Sequence, residues 1–320
     1  MVRTLVLIAL VACSSEPAHP DAPASAWSMG PAMPRRALDA AVASAGQRVV
    51  VVGGFDGAEV TTRVDAFDPV DDRWVSLADA PVAWTSGNLG AVGGMLYLLG
   101  GLEGPAGQAR GDAFALDVLG QRWETLTPMD APDARGAAGV ATGPGHVYLL
   151  GGVSSGPLAS CLVYDVAAAR WDRLPDLPAP RAHPAVMRRA DGTLIVAGGF
   201  ESADASEPRS DVWALPLLAT AWEVRRAPER VARGDCAYGV VLSQLICAGG
   251  QGDPSAGTLV ESYDPYLDAW TEGEAMPAPR AGTPGAALGT RLFVPGGADA
   301  LAATPTDTLY IYAPLDTAPR

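Results

Sequence analysis

Short apolar runs that end on a glycine pair recur along the chain. Val49-Val50-Val51-Val52 closes on Gly53-Gly54, and later copies close on Gly100-Gly101, Gly151-Gly152, Gly198-Gly199, Gly249-Gly250 and Gly296-Gly297. The steps between copies are 47, 51, 47, 51 and 47 residues. Before each run lies a small-residue segment and a turn, as in Gly136-Ala137-Ala138-Gly139-Val140-Ala141 followed by Thr142-Gly143-Pro144-Gly145. After it comes a third run ending at Phe67-Asp68, Leu116-Asp117, Tyr164-Asp165, Leu215-Pro216 or Tyr263-Asp264. Six residues past each of these turn residues stands a tryptophan: Trp74, Trp123, Trp171, Trp222 and Trp270. Four short strands between Gly, Pro and Asp turns, repeated every fifty or so residues, predict the blades of an antiparallel propeller.

The sixth copy lacks its last strand. After Leu309-Tyr310-Ile311-Tyr312 no Trp follows, whereas Ala26-Trp27-Ser28-Met29-Gly30-Pro31-Ala32-Met33-Pro34 matches Ala269-Trp270-Thr271-Glu272-Gly273-Glu274-Ala275-Met276-Pro277. The pattern therefore predicts a six-bladed, all-β ring over residues 26–320, its last blade closed by the N-terminal strand so that no long sheet edge stays open. Glycine pair, aromatic and Trp at near-fixed offsets resemble the kelch repeat, and the resemblance covers about residues 26 to 320. It implies a galactose oxidase-like propeller that binds partners through the loops of one face. The distance from glycine pair to third-strand end alternates between short and long. Either a two-blade unit repeats three times or loop lengths have drifted.

The chain carries 22 Arg, no Lys and 36 acidic residues, a net charge of −14. So acidic a surface disfavours nucleic acid and anionic lipid headgroups. Residues 1–12 read as a short signal peptide, with Arg3 before the apolar run Leu5 to Ala12. Leu10-Val11-Ala12-Cys13 resembles the bacterial lipobox, which implies lipidation of Cys13 and a mature charge of −15 (21 Arg against 36 acids). Residues 13–25 then form the lipidated Cys and a Pro-rich tether. Ser14 after the Cys resembles outer-membrane sorting, placing the protein in the bacterial cell envelope, periplasmic or surface-exposed.

Candidate chemistry gathers on the face where loops enter first strands and leave glycine pairs. At 16 or 17 residues before each pair lie Arg36, Trp84, Arg135, Arg181, Arg233 and Arg280. Around a channel mouth they would form a donor-rich rim for carboxylate or phosphate groups. The alternative is that each Arg pairs with acids of neighbouring loops. Two residues further on, His183 and Asp235 stand where other blades carry Leu38, Ser86, Ala137 and Gly282. Such a pair could do acid–base work or simply line a solvated channel.

Metal chemistry has little support, because only His19, His146 and His183 are present. The paired His and the Tyr-Cys cofactor of galactose oxidase have no counterpart, and no cofactor is expected. With Ser243-Gln244 as the hairpin turn, Cys247 would face Val240, leaving Cys236 about 13 Å along the strand and beyond disulfide reach. Cys161, Cys236 and Cys247 are thus expected as free, mostly buried thiols. Three functions fit. The first is a monomeric, membrane-anchored module binding an envelope or extracellular protein or carbohydrate. The second is a sugar-modifying enzyme of the sialic-acid mutarotase type, its Arg rim holding a sugar carboxylate. The third is a structural envelope protein.

Overall fold

A computed structural model describes residues 25–104, 107–227, 231–299 and 303–314. The signal peptide, Cys13 and all of the tether before Ser25 lie outside them. Six four-stranded antiparallel sheets follow one another around a channel. Blade 1 runs Ala41–Ala45, Arg48–Val52, Val64–Asp68, Arg73–Ser76 from the channel outward. In blade 6, Ala286–Leu288, Arg291–Pro295 and Leu309–Tyr312 are completed by Trp27–Met29, whose partners are Trp27↔Tyr312 and Met29↔Tyr310. The closure expected from the N-terminal match is present.

Local chemistry explains why the repeat keeps register. Asp68, Asp117, Asp165 and Asp264 each accept backbone N–H groups two or three residues ahead, fixing the turn into the outer strand. The glycine pair is the joint between blades. Gly151 and Gly152 have φ of 65° and 111°, and Gly152 donates its N–H to the Arg181 carbonyl of the next blade at 2.7 Å. A Cβ on Gly151 would lie 2.4 Å from that same carbonyl oxygen, so no larger residue fits. Equivalent bonds run from Gly54 to Trp84, Gly199 to Arg233, Gly250 to Arg280 and Gly297 to Ala37. In blade 2 the register shifts between Leu99 and Gly101, and buried Asn88 supplies the missing link by donating to the Leu99 and Arg135 carbonyls.

The tryptophans tie the perimeter. Trp74 Nε1 donates to Pro31, Trp123 to Ala78, Trp171 to Thr127, Trp222 to Pro175 and Trp270 to Arg226, all backbone carbonyls at 2.9–3.0 Å. Trp27 makes the sixth such bond, to Glu274, and closes the belt. Each ring also covers apolar surface between neighbouring blades, where aromatic side chains contribute most.

The cysteines differ from expectation. Cys236 and Cys247 form a disulfide with Cα atoms 5.6 Å apart, and among the described residues only Cys161 is a free, buried thiol. The hairpin turns at Leu242-Ser243, with φ of 50° and 66°, so Val241 pairs with Gln244 and Cys247 with Tyr238. Moving the turn back by one residue shifts the register by two and brings the two cysteines within reach. Burial pushes the Cys161 thiol up to about 12, which keeps it unreactive.

Candidate functional site

The arginines of the expected rim are built into the blades. Arg135 and Arg181 are fully buried, and Arg233 and Arg280 nearly so. Arg135 donates to the carbonyls of Asp133, Gly151 and Ser160 and to Ser160 Oγ. Arg181 pairs with Glu201 at 2.7 Å and Asp211 at 2.5 Å and lies over the Trp213 ring. Arg233 holds Glu261 at 2.9 Å. Burial lowers the Arg233 pKa to about 10, with the Glu261 charge opposing. Arg280 lies over Tyr310. These guanidiniums clamp the segment entering each blade to that blade's third strand or the loop before it.

Blade 1 corrects the spacing. Arg36 is exposed, and the clamp there is Arg35, bound to Asp65 at 2.9 Å with both side chains buried. Trp84 fills the corresponding slot in blade 2 with its ring, against Phe114 and over Gly101, and is 6% exposed. The alternative of pairing with acids describes Arg181 and Arg233, and Arg135 with Asp133 at 3.6 Å. Desolvation explains why: a guanidinium under a loop must be hydrogen-bonded or paired there.

The channel mouth is instead formed by Asp39, Ser86, Ala137, His183, Asp235 and Gly282, one from each blade, and all six have φ between 48° and 68°. Their backbones join into a ring. The N–H of Ser86 donates to the Asp39 carbonyl, Ala137 to Ser86, His183 to Ala137, Asp235 to His183 and Asp39 to Gly282, at 2.7–3.0 Å. In the sixth link the Gly282 N–H donates to the Asp235 carboxylate at 2.7 Å. Below the ring opens a cavity of about 360 Å³ walled by residues such as Val42, Leu89, Ala138 and Val186.

His183 and Asp235, from adjacent blades, meet at 3.2 Å between Nδ1 and Oδ1. Burial opposes the imidazolium, but the Asp235 charge and hydrogen bond, with help from Asp39, leave the His183 pKa raised. The position reads Asp39 in blade 1, where counting two residues on from Arg36 had pointed to Leu38. Counting 14 or 15 residues back from each glycine pair finds all six ring members. The Asp39 carboxyl is raised to about 6, first by desolvation and then by the Asp235 charge, with His183 acting the other way. Pattern reading also missed Tyr238, which crosses the channel from blade 5 to blade 3. Its hydroxyl accepts the Val140 N–H at 2.9 Å, and burial pushes its pKa up to about 12. Among the described residues no group of three or more His, Cys, Asp or Glu is arranged to hold a metal ion.

Comparison with known proteins agrees with this architecture. Residues 86–297 match the KLHDC2/KLHL20/DRC7 Kelch-repeats domain, and residues 36–81 match the Kelch motif. Kelch-like protein terF of Aspergillus terreus is 29% identical over 294 residues, 86% of this chain and 64% of that protein. Human Kelch-like protein 34 is 27% identical over 237 residues, 69% of this chain and 36% of its own length. The chain thus spans less than two thirds of these relatives. The solved structure of YjhT superposes with a TM-score of 0.76 over 90% of this chain and 98% of its own, at 17% identity, a likeness of fold. With two thirds of its length in one kelch-repeat model and six blades in register, the chain belongs to the kelch-repeat propeller family.

Proposed function

We propose that this propeller is an interaction module of the bacterial cell envelope, tethered through lipidated Cys13 and engaging a protein or carbohydrate partner at the channel mouth. The observation that carries the mouth as the contact face is the break in the repeat there. Asp39, His183 and Asp235 occupy ring positions that Ser86, Ala137 and Gly282 fill in other blades, and they face an open cavity. Non-glycine residues held at positive φ in a cleft are a feature of functional surfaces. The Cys236–Cys247 disulfide supports an oxidising compartment, since such bonds are rare in a reducing cytosol. The sugar-carboxylate reading drew on an open arginine rim, and burial of Arg135, Arg181, Arg233 and Arg280 takes that support away.

The test is photocrosslinking in cells from the full chain. A probe at Glu59, on the exposed mouth-face loop, should capture a discrete partner, and one at Val70, on the opposite face, should not. Capture only from Val70 would overturn the choice of face. Acyl labelling that survives Cys13→Ala would overturn the anchor.

A further inference from the structure

Asp39 and Asp235 both stand at the mouth, but their surroundings differ. Asp235 is fully engaged: Oδ1 meets His183, while Oδ2 accepts the Gly282 N–H at 2.7 Å and the Gln251 amide at 3.3 Å. Asp39 has no hydrogen-bond donor on its carboxylate among the described residues, although it sits deep enough for desolvation to dominate its titration. A Cβ on Gly282 would lie 3.0 Å from Asp39 Oδ1, so it is the missing side chain in blade 6 that leaves room for the carboxylate. The backbone does not require an acid here. Ser86 and Ala137 adopt nearly the same φ, 48° and 54° against 53° for Asp39.

A desolvated, unpartnered carboxylate is costly. A partner supplied from outside removes that cost and gains a charge-assisted hydrogen bond. The walls below carry small apolar side chains such as Val42, Ala138 and Val186 together with Ser44, Thr142 and Arg188, and Tyr238 spans the channel three residues beyond Asp235, about 10 Å down. A cavity with carboxylates at its mouth and small apolar side chains just below them matches a compact cationic head on a slender stem.

We propose that the channel mouth binds an organic cation, a protonated primary amine or a guanidinium, with Asp39 as its principal acceptor and Asp235 as the flanking charge. The proposal rests on the mouth being the contact face and names the chemistry that face would recognise. A basic side chain of a partner protein and a free alkylamine present the same group. The overall charge of −14 draws either towards the protein.

Calorimetric titration of the full chain with n-butylamine, n-hexylamine and acetyl-lysine amide tests this, with n-butanol and butyrate as controls. The amines should bind and the controls should not. Asp39→Ser, which places in blade 1 the residue blade 2 already carries at this φ, should weaken amine binding about tenfold or more, the worth of a hydrogen bond to a charged group. Glu59→Gln, on an exposed loop outside the cavity, should leave it within about twofold. Wild-type affinity should rise from about pH 5.5 to about pH 8, as Asp39 loses its proton and His183 its charge, while the amines stay protonated. Asp235 and His183 are the titratable groups that act on Asp39, and Asp39→Ser should shrink that rise.

Equal binding of acetyl-lysine amide and butylamine supports a partner side chain. Tighter binding of hexylamine than of butylamine supports a free amine whose stem runs into the channel. No amine binding at about 10 mM, the weak end of measurable affinity, overturns the proposal, as does amine binding unchanged in Asp39→Ser. A partner captured from Glu59 while amines stay silent would overturn the cation proposal alone and leave the contact face standing.

Discussion

The outer tryptophan belt and the inner ring at the channel mouth come from the same repeat, yet they respond to it differently. In the belt all six positions are Trp, and every indole donates to a backbone carbonyl of the neighbouring blade. In the ring the backbone bond repeats at five of the six links, Asp235 making the sixth through its carboxylate, while the side chains run Asp, Ser, Ala, His, Asp, Gly. A position whose side chain holds two blades together is constrained in all copies. A position whose backbone does the holding leaves its side chain open to other uses. Repetition in this molecule marks structure, and departure from repetition marks candidate chemistry.

The belt should be the harder of the two to break. Trp27→Ala removes the most buried belt residue and the ring's closing strand contact, and should cost about 3–5 kcal/mol, read as a lower urea midpoint. Deleting residues 26–34 should lower the midpoint further, because blade 6 then loses its outer strand. A deletion that melts like the parent would break the comparison at its root.

Next come the arginine clamps, which fall with the belt. Arg233→Ala removes a buried cation that donates to the Leu259 and Cys247 carbonyls and pairs with Glu261, and should cost about 3 kcal/mol. Arg36→Ala, at an exposed position, should stay within about 0.5 kcal/mol. Equal effects of the two changes in denaturant titrations would contradict the assignment of Arg35, rather than Arg36, as the blade 1 clamp.

Replacing both Cys236 and Cys247 by Ala should cost about 2–3 kcal/mol, since the bond closes a short loop in the unfolded chain. The parent should lose a similar amount on reduction, and the double variant nothing.

The effect that separates ring from belt concerns pH. Asp39 titrates higher in the folded state than its ordinary 3.8, so folding binds its proton more tightly. Its favourable effect on stability is complete below about 3.8 and declines as pH rises to about 6. His183 is also raised, so its contribution is present below its unfolded value of 6.5 and is lost as pH climbs through the folded one. Asp39→Asn keeps a residue suited to positive φ and removes the ionisation. Relative to the parent it should gain stability between about pH 4 and about pH 7. Parallel stability–pH curves would mean that Asp39 is not desolvated as the structure has it.

Much of the fold was legible because its determinants are local. Positive φ at a glycine, an Asp-capped turn and a Trp at fixed offset all act within one repeat, and six copies average out accidents. The strand missing from blade 6 could be found at the other end of the chain for the same reason. The site was less legible. His183 and Asp235 stood out as substitutions in register. Asp39 escapes a count from arginine because blade 1 carries Ala37 at the position of Trp84, Arg181 and Arg233, so a count from Arg36 stops one residue short. Counting from the glycine pair would have found it. The disulfide was missed because Leu242-Ser243 lacks the glycine or asparagine usual at two positive-φ turn positions. Blades 1 and 2 turn at the equivalent Gly46-Gln47 and Gly93-Gly94.

By itself, then, the amino-acid sequence determined the number of blades, their strand order, the closure and the residues of the belt, all written in short-range spacing. Only the tertiary structure decided which side of each rim residue faces water. That choice depends on desolvation, and desolvation depends on atoms from other blades. A guanidinium that spacing alone places at a channel is drawn under a loop by Glu201, Glu261 or the Ser160 carbonyl. The same closure brings three titratable side chains from blades 1, 4 and 5 to one mouth, an arrangement no single repeat encodes.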